Sequence, residues 1–283
     1  MELAEFVVRG ALLGVTYGLI ACPIALVYVT SGTVDLAIGA YVVLAAAVSF
    51  AAPGSVGMLL AICVAMVAAS VVGVLSSLLT RRYQGDKLIV ILASFGFAMM
   101  VESFVLTFFG KDPFVRQSGA APVEFLGMPI ARQSVISATI GLVLAASVYV
   151  LLHRTMLGRE MRASADNARG AAIAGIPVRR VQLATFILAG ALAGIAGVMT
   201  LHGAGLIFSS AVPLTITSLG GAIMFGLNRP LHAFAGGVVI GIVESLSAGF
   251  APSQLSTLLP FAFIFAVLAF KAMHGTEMAG GRA

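Results

Sequence analysis

Three carboxylates interrupt otherwise apolar stretches of this sequence: Asp35, Glu102 and Glu244. An ionisable group at membrane depth is costly to keep there. It turns toward the interior of a bundle or toward water, and it marks ion paths, proton relays or substrate contacts. Each of the three also has a plainer reading, as a group near the interface or one hydrogen-bonded between helices. Asp35 opens its apolar stretch, where an aspartate accepts hydrogen bonds from the free N–H groups of a helix start. Glu102 lies deep in its segment. Glu244 stands mid-segment and is the strongest pathway candidate of the three. Thr16, Tyr17, Thr30, Ser94, Thr185 and Ser218 are further polar groups in apolar runs; they suit a pathway lining and equally suit bonding between helices. His202 and His232 lie near segment ends, where a histidine serves as an interfacial hydrogen-bonding group.

A second concentration of polar chemistry is basic. Arg154, Arg159, Arg162, Arg169, Arg179 and Arg180 fall in one segment between long runs with almost no charge, in a chain of which only 10% is charged. Short arginine-rich loops stay on the cytoplasmic side of a membrane. Residues 159–174 are rich in good helix formers, with Gly175 placed to end the helix and Pro177 just beyond. A basic helix with a small-residue face suits docking into a groove on another protein. It equally suits a solvated surface or contact with lipid headgroups.

Several kinds of chemistry find no support. The sequence contains no phosphate-binding loop of the G-x-x-x-x-G-K-[ST] type, no H-E-x-x-H and no G-x-S-x-G. Cys22 and Cys63 lie in apolar runs without metal-ligand spacing, so neither a disulfide framework nor a metal site is indicated. No cofactor is expected. An intramembrane enzyme would need a paired nucleophile and base, or a metal cluster, at membrane depth. A net charge of +5 reads as a topology signal, not as affinity for nucleic acid.

The elements that must position these groups follow from composition. The chain is 60% hydrophobic with a mean hydropathy of +1.09, against about 45–50% apolar for a soluble domain. The expected fold is all-α, a polytopic transmembrane bundle occupying residues 1–283 as a single domain. Candidate membrane segments are 6–29, 34–52, 57–79, 88–109, 134–152, 182–202, 211–226, 232–249 and 255–271, giving eight or nine crossings. Segments 34–52 and 211–226 are short or rich in small residues, and either suits a re-entrant helix, which is tolerated where protein or a wet cavity covers its backbone. The first apolar run reads as a retained helix and not a signal peptide, because Glu2 and Glu5 precede it and it exceeds a signal h-region.

Arg81, Arg82 and Lys87 mark one inside loop, the arginine segment (153–181) a second and Arg229 a third. Lys271 and Arg282 place the C-terminus inside, so the 110–133 loop is outside. The N-terminus is outside if 34–52 spans fully and inside if it is re-entrant. Gly10, Gly14 and Gly18, Gly190 and Gly194, and Gly237 and Gly241 recur every four positions. That spacing lets helix backbones approach closely, within the bundle or at a subunit interface.

The arginine segment resembles the cytoplasmic coupling segment of bacterial ABC importer permeases, and more closely that of the high-affinity branched-chain amino-acid permeases. The family pattern G-R-x-x-R-A-x-A, an acidic position and then A-A-x-x-x-G-I is matched by Gly158, Arg159, Arg162, Ala163, Ala165, Asp166, Gly175 and Ile176. Arg169 stands where the family has a glutamate. Val34 to Gly39 resembles the family's N-F-A-x-G motif, with Asp35 in place of asparagine. The glycine-rich stretches from Leu219 to Glu244 resemble its C-terminal half, with G-G-x-G-S loosened to Phe225-Gly226-Leu227-Asn228.

This resemblance implies a multi-pass subunit of the bacterial inner membrane with no nucleotide-binding motif of its own. It implies an importer, most naturally of branched-chain amino acids, in which a second related permease forms the translocation pathway with this chain, and two cytoplasmic ATPase subunits and an extracytoplasmic binding protein are further partners. Arg159, Arg162, Asp166, Arg169 and Gly175 are then the coupling residues, and Asp35, Glu102, Glu244 and Asn228 the pathway candidates. Two other readings stand beside it. One is an importer of the same family for urea or amides. The other is an ion-coupled secondary transporter in which the three carboxylates carry a proton or sodium ion.

Overall fold

The computed structural model describes residues 2–82, 87–116, 123–125, 128–203, 205–256 and 258–280. Helices α1 (Glu2–Ser31), α2 (Ile38–Ala51), α3 (Ser55–Arg82) and α4 (Lys87–Phe109) come first. A short antiparallel hairpin follows, β1 (Val123–Phe125) with β2 (Met128–Ile130). Then come α5 (Arg132–Arg154), α6 (Met156–Asp166), α7 (Ala168–Ile173), α8 (Val178–His202), α9 (Ala211–Phe225), α10 (Pro230–Phe250), α11 (Ser253–Ser256) and α12 (Leu258–Gly280). Seven helices are long and apolar enough to cross a membrane, and Ile38–Ala51 and Leu258–Lys271 are shorter apolar helices. Each of the nine segments expected from hydropathy is a helix, the form in which a chain satisfies its own backbone in hydrocarbon. The hairpin lies in the 110–133 connection, and the bundle itself is all-α as expected.

Large apolar side chains on α3, α4 and α5 point away from the protein: Val67, Leu92 and Val143 are among them. Such faces suit lipid, which is as apolar as they are. Helix α2 is the opposite case. It is buried from Ile38 through Ala47, in keeping with a sequence that is apolar all round.

The four-residue glycine repeats pack inside this bundle. On α1, a Cβ at Gly10 would lie 2.7 Å from Ile242 Cα, one at Gly14 2.7 Å from Val238 Cα, and one at Gly18 2.6 Å from the Phe234 carbonyl. Gly237 and Gly241 of α10 return the contact against the backbones of Gly18 and Gly14. Gly190 and Gly194 of α8 seat Ala65 and Ile62 of α3 in the same way. Of the two readings of these repeats, the structure therefore takes close packing within one chain.

One end of the bundle carries Arg82, Lys87, the arginine segment, Arg229 and Lys271. Helix α1 finishes at this end, with the Thr30 carbonyl accepting from Gln182 Nε2 at 3.2 Å. Its N-terminus is thus at the opposite end. The chain from Gly32 turns back into the bundle, where the Leu36 N–H donates to Ser94 Oγ at 3.1 Å. Ser94 is two turns into α4, roughly 10 Å up the helix at 1.5 Å per residue. From there α2 runs to the far end, where the Phe50 carbonyl accepts from Arg116 at 2.8 Å. Segment 34–52 therefore runs from one end of the bundle toward the other, with an extended lead-in before α2.

Helix α9 continues without a break from a 3-10 turn at Phe208–Ser210. Leu206 exchanges backbone hydrogen bonds with Phe114 at the far end. The chain then descends, so that Ala211 lies against Gly39 and Thr215 Oγ1 accepts from the Gly39 N–H at 2.9 Å. From mid-bundle α9 continues to the basic end, where the Met224 carbonyl accepts from Lys271 Nζ. Arg282, expected on the inside, lies outside the described residues.

Candidate functional site

At the basic end, α6 and α7 form a short helical pair. Thr155 starts α6: its hydroxyl accepts from the Gly158 N–H at 3.1 Å. Gly158, Met161 and Ser164 are buried against the bundle, and α6 packs on α1, α5 and α8. The other face, with Arg159, Arg162 and Asp166, is exposed, as is Arg169 on α7. Among the described residues no carboxylate pairs with these arginines; Arg159 donates to Met156 Sδ at 3.0 Å.

The single helix expected over 159–174 is in fact two. Asn167 leaves helical geometry at φ −154° and its side chain accepts from the Gly170 N–H at 2.9 Å. Asparagine offers the backbone this local alternative to a continuing helix. Gly175 ends α7 as expected, at φ +86°. The Ile176 N–H bonds to the Ala171 carbonyl at 2.9 Å and the Gly175 N–H to the Ala172 carbonyl at 3.1 Å, the double bond of a Schellman stop. This stop presents Ile173, 89% exposed, at the tip, and Met156 is 70% exposed beside the arginines. Both apolar side chains are thus offered outward amid exposed arginines, in a polar connection.

At the opposite end a cavity of about 680 Å³ opens between α1, α5, the 203–210 segment, α9, α10 and α12. Its walls carry hydroxyls from Thr16, Ser134, Ser137, Thr200 and Thr217, and apolar surface from Leu13, Met199, Leu206, Leu214 and Phe261. Two charged side chains, Arg9 and Glu244, reach it. Arg9 pairs with Glu5 at 2.5 Å. Glu244 accepts from the Tyr17 hydroxyl at 3.0 Å, across the glycine-packed seam of α1 and α10. Ser137 Oγ is buried in the wall without a hydrogen-bond partner.

The other pathway candidates lie elsewhere. Asp35 is 3% exposed and fully engaged at the start of α2, accepting from the Ala37 N–H at 2.8 Å and from the Tyr41 hydroxyl at 3.0 Å. Glu102 faces the backbone N–H groups of Val212 and Ala211 at the start of α9, with Oε1 unpaired. The two acids thus sit at two helix N-termini that meet at mid-bundle, where negative charge complements the helix dipole. Asn228 is exposed in the α9–α10 turn at the basic end. Thr16 and Tyr17 line the cavity, whereas Thr30 and Thr185 bond to their own helices and Ser94 steadies Leu36. The reading from sequence did not single out Arg9, Ser137 or Thr217. Serines and threonines in apolar helices are common, and nothing local separates a lining hydroxyl from a packing one.

Residues 6–268 match the family model described as the permease component of branched-chain amino acid transport systems. The high-affinity branched-chain amino acid transport system permease protein LivH of Escherichia coli K12 is 25% identical, over 92% of this chain and 91% of that protein. The L-arabinose ABC transporter permease protein AraH of Azospirillum brasilense is 30% identical, over 68% of this chain and 56% of that one. Among solved structures, PsaBC from Streptococcus pneumoniae in complex with Fab shares the fold, with a TM-score of 0.50 over 93% of this chain and 90% of that chain, at 13% identity.

Proposed function

Because this chain belongs to the branched-chain amino acid transport system permease family, we propose that it is the membrane subunit of an ATP-driven, binding-protein-dependent importer of branched-chain amino acids. It works in the bacterial inner membrane as one permease domain, paired with a second permease. Two ATPase subunits bind at the basic end and a binding protein delivers cargo at the opposite end. The basic end is cytoplasmic by the positive-inside rule, which sets the N-terminus outside.

The observation that carries this reading is the exposed face of α6 and α7. It offers an apolar tip at Ile173 ringed by unpaired arginines, and such a surface fits a groove with acidic rims on a soluble partner. Its buried face rests on α1, α5 and α8, and α1 is locked to α10 through the glycine seam. A push on α6 therefore reaches the helices that wall the outer cavity. Such a push does work only if the ATPase holds α6 and α7 differently in its open and closed states. Arg159, Arg162, Asp166 and Arg169 make the polar contacts, and Gly175 fixes the angle at which the tip is offered.

Reversing charge at two of these positions tests the reading. With Arg159→Glu and Arg162→Glu together, uptake into proteoliposomes of the assembled importer falls at least about ten-fold, since losing charged interface contacts costs roughly 2 kcal/mol or more. Membrane insertion is unchanged. Normal substrate-stimulated ATPase activity in that double variant overturns the proposal.

A further inference from the structure

Two stretches of irregular backbone lie at membrane depth, and both rest against α4. The first is the 32–37 lead-in. Its Leu36 N–H bonds to Ser94, Lys87 at the start of α4 stands beside Gly32, and Val34 and Leu36 are only half-buried. The second is the turn at Phe208–Ser210 that delivers α9 to mid-bundle, and it too packs on α4. Non-helical backbone is tolerated at such depth where protein or water covers it, and not where lipid does. A charge lies on the same side. Glu102 stands roughly 22 Å along α4 from Lys87 at 1.5 Å per residue, inside a hydrocarbon core of about 30 Å. It is half-buried and faces the N–H groups of Ala211 and Val212, and among the described residues no basic side chain pairs with it. Beside it Met99 and Ser103 are exposed, and a Cβ on Gly96 would meet nothing within 4 Å. Helices α3 and α5 carry no carboxylate. Outward apolar side chains such as Leu92 suit a partner helix as well as lipid, but Glu102 and the open backbone suit only a face that lipid does not cover.

Resting on the importer reading, we propose that this face of α4, flanked by the 32–37 lead-in and the start of α9, is the wall that this chain gives to a water-filled pathway, and that the second permease closes it from the other side. Glu102 lines the pathway in its outer half. Water between the two chains hydrates the carboxylate and the open backbone, which lipid would leave unsatisfied. The matching surface of the second permease is a membrane helix with small or polar side chains at the same depth, since an apolar one would leave Glu102 as poorly solvated as lipid does. The faces of α3 and α5 stay in lipid. The cavity that holds Glu244 has no residue of α4 in its lining, so Glu102 and not Glu244 is the carboxylate of this shared wall.

Labelling and capture in the assembled importer test this. The background is Cys63→Ala, with Cys22 buried, and the single variants are Met99→Cys on α4, Val67→Cys on α3 and Val143→Cys on α5. A water-soluble thiosulfonate, read as mass added to this chain in proteoliposomes, modifies Met99→Cys and leaves Val67→Cys and Val143→Cys unmodified. A benzophenone attached at Ser103→Cys captures the second permease on illumination, whereas one at Val67→Cys captures lipid. At Met99→Cys a cationic thiosulfonate reacts faster than an anionic one. Glu102→Gln, which keeps an acceptor for the N–H groups of α9, lowers that ratio roughly ten-fold, and Glu102→Asp lowers it less. Should Glu102→Gln fail to assemble, the same ratio is measured at Leu92→Cys, about two turns nearer the basic end, where it is smaller than at Met99→Cys. No reaction at Met99→Cys, capture of lipid alone from Ser103→Cys, a ratio untouched by Glu102→Gln, or equal ratios at Leu92→Cys and Met99→Cys overturns the wall. Any of these in an importer whose ATPase activity still responds to substrate sinks this face alone, whereas uptake that needs no ATP sinks the importer reading beneath it.

Discussion

Tyr17 and Glu244 are 227 positions apart in sequence and 3.0 Å apart in space. Asp35 illustrates the contrary case, a carboxylate whose partners are its immediate neighbours. It holds the Ala37 N–H and the Tyr41 hydroxyl, both within two turns of its own helix. These bonds account for both of its oxygens, so its role is to secure the start of α2, and the sequence already suggested that role. Asp35→Ala leaves a buried N–H and a buried phenol unpaired and lowers stability by about 2 kcal/mol. The check is the detergent-solubilised melting temperature, which Asp35→Asn restores in large part because its carbonyl still accepts. Equal melting temperatures for wild type and Asp35→Ala contradict this role.

Among the elements, the α1–α10 seam and the α6–α7 pair make opposite demands. The seam depends on the absence of side chains. Gly14 and Gly241 meet backbone to backbone, so Gly241→Val forces the helices apart or prevents the fold. It should remove most folded protein from membranes, as read by monodisperse yield in detergent. The pair at the basic end depends instead on where helices stop. The arginines and the glycine–proline stop were visible in the sequence, because caps and charge are local signals. Asn167 was not recognised as a break, since alanines and arginines on either side favour helix and the competing side-chain bond to Gly170 emerges only in the folded loop. That break turns α7 away from the axis of α6 and makes Ile173 a tip.

Over the whole molecule, the path of the chain fixes which elements share an end of the bundle, and the positive-inside rule proposes the cytoplasm for the basic end. A lead-in at 32–37 carries the chain from the basic end to the start of α2, and Ala211 at the start of α9 lies against Gly39. The N-terminus and the arginine pair therefore lie on opposite sides. Asp166→Cys, in the Cys63→Ala background, should react with an impermeant thiol reagent in inside-out vesicles and not in intact cells. Labelling in intact cells reverses the topology and removes α6 and α7 from reach of any cytoplasmic ATPase.

The sequence by itself determined the solvent and the elements. Long apolar runs without alternation satisfy their backbone in hydrocarbon as helices, so hydropathy located all nine segments, and clustered arginines marked the end expected on the cytoplasmic side. The resemblance carried by residues 158–176 pointed to the family for the same reason: its signals are short-range. Tertiary structure alone decided how the two short segments meet, which glycine faces closed on each other, and which carboxylate lined a cavity. Lipid favours no particular face of an apolar helix, so those choices rest on close contacts such as Gly39 with Ala211, Gly14 with Gly241 and Tyr17 with Glu244, between residues far apart along the chain.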